Sequence, residues 1–221
     1  MSEGREIDLA LMMADLCGYT ALTETHGAFV ASEIVLRFVG LVKESMTPGV
    51  RIVDCIGDEV FCCSDDSQAI VRTALRLREA IEREPDFPRA SIGIHRGKIV
   101  EREGRLFGAP INLAARLVGR AAGNQILCTE VIAKGLSESA GVESRPVGEH
   151  RFKNVTQPVA LYELLPSSDR RPETSTDPVC RMQVTDAKVA ATLVSAGVTY
   201  RFCSAECARL FAAAPGLYQL R

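Results

Sequence analysis

LMMADLCGYTAL, residues 11–22, reads as an apolar strand that ends on a carboxylate, Asp15, and turns through Gly18 into a helix. Such a junction suits phosphate. The first N–H groups of a helix have no partner within it, and the helix dipole is positive there. A carboxylate at the preceding strand end can hold the cation that accompanies the anion. The backbone of Cys17, Gly18, Tyr19 and Thr20 is the expected cradle. A second acid, Asp58, stands in IGDE, residues 56–59, where Gly57 marks a hairpin turn between two strands. Two carboxylates on adjacent strand ends make an oxygen-ligand site for one or two Mg2+ or Mn2+ ions. Taken alone, the same two residues serve equally well as caps of a helix and a turn.

Outward from this segment, period and turn residues predict a helix over 28–46, strands over 50–56 and 59–63, and a helix over 67–84. They continue with a strand over 90–95, a helix over 110–120, a strand over 125–128, a short helix over 130–136 and a strand over 159–164. Strands and helices mix without strict βαβ alternation, which favours an α+β sandwich of one sheet with helices on one face. SSDRRPETST, residues 167–176, is polar and has no apolar face to bury, so it reads as a linker between a first domain, 1–166, and a small module, 177–221.

The 221 residues are 47% hydrophobic and 24% charged, which predicts a packed core and excludes disorder, collagen and coiled coil. A net charge of −2 leaves no global attraction for nucleic acid or anionic lipid. No apolar run reads as long enough to span a bilayer, so a cytoplasmic protein without membrane partners is expected. Eight cysteines would then stay reduced. Cys17, Cys55, Cys62, Cys63 and Cys128 lie in apolar segments and read as core residues. Cys62 and Cys63 should face opposite sides of a strand and cannot chelate together. His26 and His95 have no partner spacing and read as structural.

GAPINLAAR, residues 108–116, adds Asn112 and Arg116, four apart on one face of a helix that begins at Pro110. Together the strings LMMADLCGYTAL, RIVDCIGDEVF, LFGAPINLAARL and HRFKNVTQPVALYEL, in this order, resemble the catalytic domain of class III nucleotidyl cyclases over about residues 5–165. The resemblance implies a ferredoxin-like sandwich with a mainly antiparallel sheet. It assigns Asp15 and Asp58 to two metal ions and the loop 17–20 and Lys153 to the triphosphate. Asn112 and Arg116 become the catalytic pair that orients the ribose and steadies the transition state. It further implies a head-to-tail homodimer that shares two sites and turns ATP or GTP into a 3',5'-cyclic nucleotide for signalling.

One position pair departs from the family. Where its adenylate cyclases carry Lys and Asp (or Thr) to read adenine, this chain has Asp54 and Arg105. Either the two form a reversed salt bridge and ignore the base, or Asp54 accepts from guanine N1–H and N2–H2 while Arg105 donates to O6 and N7.

About 45 residues beyond the linker are too few for a large core. Cys180, Cys203 and Cys207, in the pattern Cys-x22-Cys-x3-Cys, can converge on Zn2+ or Cu+ with a fourth ligand unassigned. DPVCRM, residues 177–182, and TYRFCS, residues 199–204, resemble the YHS domain, a treble-clef-like metal-binding module, although Arg201 replaces its name-giving histidine. The expected whole is an active cyclase with a metal-sensing tail. The rival is a catalytically degenerate nucleotide-binding or metal-responsive regulator.

Overall fold

The computed structural model describes residues 4–136, 141–166 and 175–218. β1 (Arg5–Leu16) lies inside the main sheet, antiparallel to β3 (Glu59–Ser64) on one side and to β4 (Ala90–Arg102) on the other. Every residue from Ala10 to Ala14 is buried, although successive side chains point to opposite faces, so both faces of β1 are covered. The order is β2 (Arg51–Ile56), β3, β1, β4, β6 (Ile126–Thr129), β8 (Val159–Pro166), β7 (Val142–His150), with β5 (Arg105–Phe107) paired to β4. β4 and β6 run parallel; the other pairs in this sheet are antiparallel.

The helices do not keep to one face, contrary to the expectation from the element order. α1 (Tyr19–Ser45) and α2 (Ser67–Arg83) pack Phe38, Leu41, Ile70 and Leu77 into a core with Ala10, Met12, Ala14 and Ile92. α3 (Ala109–Arg120) covers the opposite face, where Ala114 and Val118 meet Leu11, Met13, Phe61 and Ile99. The cause is the unbroken apolar run of β1, which needs cover on both sides. Cys62 enters the first core and Cys63 the second, on opposite faces as the strand period requires. α4 (Glu130–Ala133) is a single turn after β6.

α1 begins ahead of the predicted helix and is broken at Gly27, whose φ of 83° and ψ of 158° are not helical. Taken as one element, it is long and apolar enough to cross a bilayer by length and composition, a feature the sequence reading missed. In this fold it seats Ala31, Phe38, Leu41 and Val42 in the core.

Residues 167–174 of the expected linker lie outside the described residues, but its last two form β9 (Ser175–Thr176), paired with β10 (Gln183–Val184). A hairpin of β11 (Ala191–Ser195) and β12 (Val198–Phe202) follows, then α5 (Ala205–Ala213) and α6 (Pro215–Tyr218). This segment is not a separate bead on a string. Val179, Cys180, Phe202, Cys207 and Phe211 belong to the same buried cluster as Phe38 and Leu77. The Gln183 amide donates to the carbonyls of Ile81 and Phe87, and Lys188 pairs with Asp86.

Candidate functional site

β1 carries Asp15 near its C-terminal end, and the tight turn at Gly57 (φ 60°) brings Asp58 beside it. The two carboxylates lie close enough for each to feel the other's charge. Burial, helped by the charge of Asp58, pushes the Asp15 carboxyl up to about 7. A like-charged pair of this kind is a cost to the fold unless protons or cations occupy it, and its all-oxygen donor set fits Mg2+ or Mn2+. Next to it the chain turns through Gly18 (φ 78°) into α1. The Cys17 side chain points inward, its Sγ 3.2 Å from Ser91 Oγ, while burial holds the thiol in its protonated form. What Cys17 can offer a ligand is therefore its backbone.

On the other side of the hairpin, a pocket of about 510 Å3 is lined by Asp54, Arg105, Phe61, Phe107 and Ile111 among others. Asp54 and Arg105 thus line the same space. They are not ion-paired with each other among the described residues; Asp54 Oδ1 instead accepts from the Cys55 N–H at 2.9 Å. The reversed salt bridge is not formed in this chain. Ile111 closes the pocket from α3, and the same helix carries Asn112 and Arg116 one turn apart, both exposed. Lys153 lies exposed in the turn between β7 and β8 and is not part of the pocket lining. His95 remains structural: its Nδ1 is 2.8 Å from Thr129 Oγ1, and burial lowers its pKa to about 4.

Two curated relatives and one solved structure place this arrangement. The chain is 34% identical to an adenylate cyclase of Streptomyces griseus, over 56% of this chain and 31% of the relative. It is 29% identical to a pH-sensitive adenylate cyclase of Mycobacterium tuberculosis, over 72% of this chain and 41% of the relative. The crystal structure of the adenylyl cyclase CyaB from P. aeruginosa superposes with a TM-score of 0.66 at 19% identity, covering 77% of this chain and 98% of that one. The first domain has the class III nucleotidyl cyclase fold. No protein-family model matches the chain. The chain spans less than half the length of the two curated relatives.

Within that cyclase fold, the residues divide into two groups on one chain. Asp15, Asp58 and the 17–20 loop form the first; Asp54, Arg105, Asn112 and Arg116 form the second, around the pocket and on α3. A further cluster lies where the C-terminal segment meets the cyclase domain. Sγ of Cys203 is 3.4 Å from that of Cys180 and 3.8 Å from that of Cys207. His26 of α1 joins them, its Nε2 3.6 Å from Cys203 Sγ and 3.9 Å from Cys207 Sγ. Hydrogen bonds from Cys180 and Cys203 hold the Cys207 thiol well below the usual thiol range. His26, expected to be structural and without a partner, is brought by the fold within reach of the cysteine sulfurs. Its partners are too far along the chain for any spacing rule to find, whereas the three cysteines were legible. Arg181, also unnoticed in the sequence, lies against the 17–20 loop: a Cβ on Gly18 would meet its Cγ at 2.4 Å.

Proposed function

We propose that the chain is a nucleotidyl cyclase, a phosphorus–oxygen lyase that converts ATP or GTP to a 3',5'-cyclic nucleotide and pyrophosphate as a head-to-tail homodimer. The observation that carries this reading is the adjoining carboxylates Asp15 and Asp58 beside a glycine turn into a helix, on a class III cyclase fold. In the reaction the ribose 3'-oxygen attacks the α-phosphorus, the bond to the bridging β-phosphate oxygen breaks, and the 3'-hydroxyl proton is lost. Divalent cations held by Asp15 and Asp58 would supply charge neutralisation and acidify that hydroxyl.

The remaining work belongs to the chain's own groups. N–H groups of the 17–20 loop donate to phosphate oxygens, and Lys153 adds charge from its turn. Asn112 orients the ribose, and the guanidinium fork of Arg116 donates to the α-phosphate oxygens as charge builds on them. Support for a shared site comes from exposure: Asn112 and Arg116 face outward, and Arg116 has no ion pair among the described residues. Ile56 and Phe107, which also line the pocket, are 67% and 51% exposed, as expected of apolar groups that a second copy covers. The proposal places the chain in the reducing cytoplasm, consistent with eight free thiols. It also retains a YHS-like, metal-binding character for residues 177–218, supported by the clustered cysteines.

A product assay of the purified chain with ATP or GTP and Mg2+ or Mn2+ tests the activity. Asp15→Ala and Asp58→Ala should each abolish turnover and leave the fold intact. Mixing Asp15→Ala with Arg116→Ala should restore one working site per heterodimer; a proven heterodimer that stays inactive removes the shared-site part. Wild-type chain that binds nucleotide without forming product would instead favour the degenerate regulator.

A further inference from the structure

We propose that His26, Cys180, Cys203 and Cys207 bind one zinc-class ion and that this ion fastens the C-terminal segment to the helix leading out of the phosphate loop. The geometry is the argument. A tetrahedral metal with bonds of about 2.3 Å to sulfur and about 2.05 Å to nitrogen sets its ligand atoms about 3.8 Å (S to S) and about 3.6 Å (S to N) apart. The separations in the fold are 3.4 and 3.8 Å between sulfurs and 3.6 and 3.9 Å from sulfur to His26 Nε2. All four donor atoms lie within 4.8 Å of one another. Three thiolates and one imidazole suit a borderline, tetrahedral cation rather than the hard ions expected at Asp15 and Asp58.

The surroundings hold this donor set in place. Asp177 is fully buried, and its carboxylate accepts from Val179 N at 2.8 Å, Cys180 N at 3.4 Å and Cys203 N at 2.8 Å. One side chain therefore shapes both ligand loops, as outer-shell carboxylates do around metal sites. Ser204 caps α5 by accepting from Cys207 N at 3.1 Å, which fixes the third cysteine in the first turn. On the cyclase side, the break at Gly27 ends the first helical stretch just after His26.

The site joins two functions. His26 stands one stretch of helix after Gly18, and Arg181, the residue after Cys180, leans on Gly18 with its Nη1 buried and without a hydrogen-bond partner among the described residues. Metal binding on Cys180 and His26 therefore sets how firmly Arg181 is held against the 17–20 loop. The clamp rests on the cyclase reading only for what that loop does; the metal site stands apart from it.

The test uses the full chain, reduced and equilibrated with Zn2+, then with Co2+ as a spectroscopic probe. Expected are about one Zn2+ per chain and, with Co2+, sulfur-to-cobalt charge-transfer bands with the intense visible bands of a tetrahedral centre. Cys203→Ser should abolish binding, and Cys55→Ser, an exposed cysteine outside the cluster, should leave it unchanged. His26→Gln should keep the charge-transfer bands, alter the visible bands and weaken affinity by about tenfold or more. Far-UV circular dichroism checks that each variant folds. Hydrogen exchange at residues 17–20 and 177–183 should quicken when a chelator removes the ion. A reduced chain that takes up no metal overturns the site, and His26→Gln with wild-type affinity and spectrum overturns the four-ligand set. Exchange at 17–20 that ignores the chelator overturns the clamp. A chain that binds the ion yet forms no cyclic nucleotide sinks the cyclase reading and leaves this one standing.

Discussion

The Cβ that Gly18 lacks would lie 2.4 Å from Cγ of Arg181 and 2.9 Å from its Cβ, and Gly18 itself sits at a φ of 78°. The glycine therefore answers two demands: a left-handed turn into α1 and space for a side chain from the far end of the sequence. Gly18→Ala should lower stability by about 1–3 kcal/mol and reduce nucleotide affinity, because strain and clash both act on the 17–20 loop, the proposed phosphate cradle. Arg181 has a φ of 65°, so Arg181→Gly relieves strain at its own position while removing the clash. The double variant should recover part of the loss in melting temperature, a coupling that a double-mutant cycle reads directly. Strict additivity would show that the contact does not matter.

Gly93 performs the same service for α3. A Cβ there would lie 2.7 Å from Ala114 O, Leu117 Cβ and Val118 N, so β4 and the helix that carries Asn112 and Arg116 touch through the missing side chain. Gly93→Ala must push α3 off the sheet, at about 1–3 kcal/mol for overpacking. A displacement of a few tenths of an ångström moves Asn112 and Arg116, the proposed catalytic pair, with it. We expect kcat to fall by about tenfold or more while the folded population persists at 20 °C, measured by turnover and thermal melting. Unaltered kcat would separate α3's position from catalysis.

His95 supplies a pH dependence that belongs to the scaffold. Burial depresses its pKa to about 4, and its Nδ1 meets Thr129 Oγ1 at 2.8 Å. The unfolded chain therefore takes up a proton near the ordinary 6.5 that the folded chain refuses until about 4. Stability from this group is complete above 6.5 and is lost as pH falls through that window, by about 1–2 kcal/mol after allowing for partial solvation. Melting temperatures from pH 7.5 to 4.5 should fall less steeply in His95→Gln than in the wild type; parallel curves would exclude His95 as the source.

Sequence reading captured what is local. The period of α2 and α3, the strand at Ala10–Ala14, the opposed faces of Cys62 and Cys63 and the two acids at strand ends all follow from neighbours within a few residues. β5 and β7 were missed: β5 is three residues long, and β7 is a largely exposed edge strand containing Pro146 and Gly148, with a register shift between them. Likewise the site was legible where a motif held it together. His26 escaped because its partners are brought to it by tertiary packing across 177 residues, and no periodicity encodes such a meeting. The polar 167–176 stretch read as a tether, yet the segment after it docks through Val179, Cys180, Phe202 and Phe211, apolar residues that a small module would otherwise have needed for itself.

The unpaired state of Asp54 and Arg105 decides how the exchanged pair should respond to substitution. Both line one pocket, both are exposed to it, and no ion pair between them occupies their hydrogen-bonding capacity. A carboxylate at Asp54 matches the N1–H and N2–H2 edge of guanine, and the Arg105 fork matches its O6 and N7; adenine offers a donor where Arg105 needs an acceptor. GTP should therefore be the better substrate. Asp54→Lys with Arg105→Asp should reverse the preference, each bidentate contact being worth about 1–3 kcal/mol, or roughly 5- to 160-fold in the GTP:ATP ratio of kcat/KM. Arg105→Ala alone should lower kcat/KM for GTP and leave that for ATP nearly constant, because only the guanine contacts are lost. If the double variant keeps the wild-type ratio, neither side chain touches the base, and discrimination must come from the apolar walls, Phe61, Phe107 and Ile111.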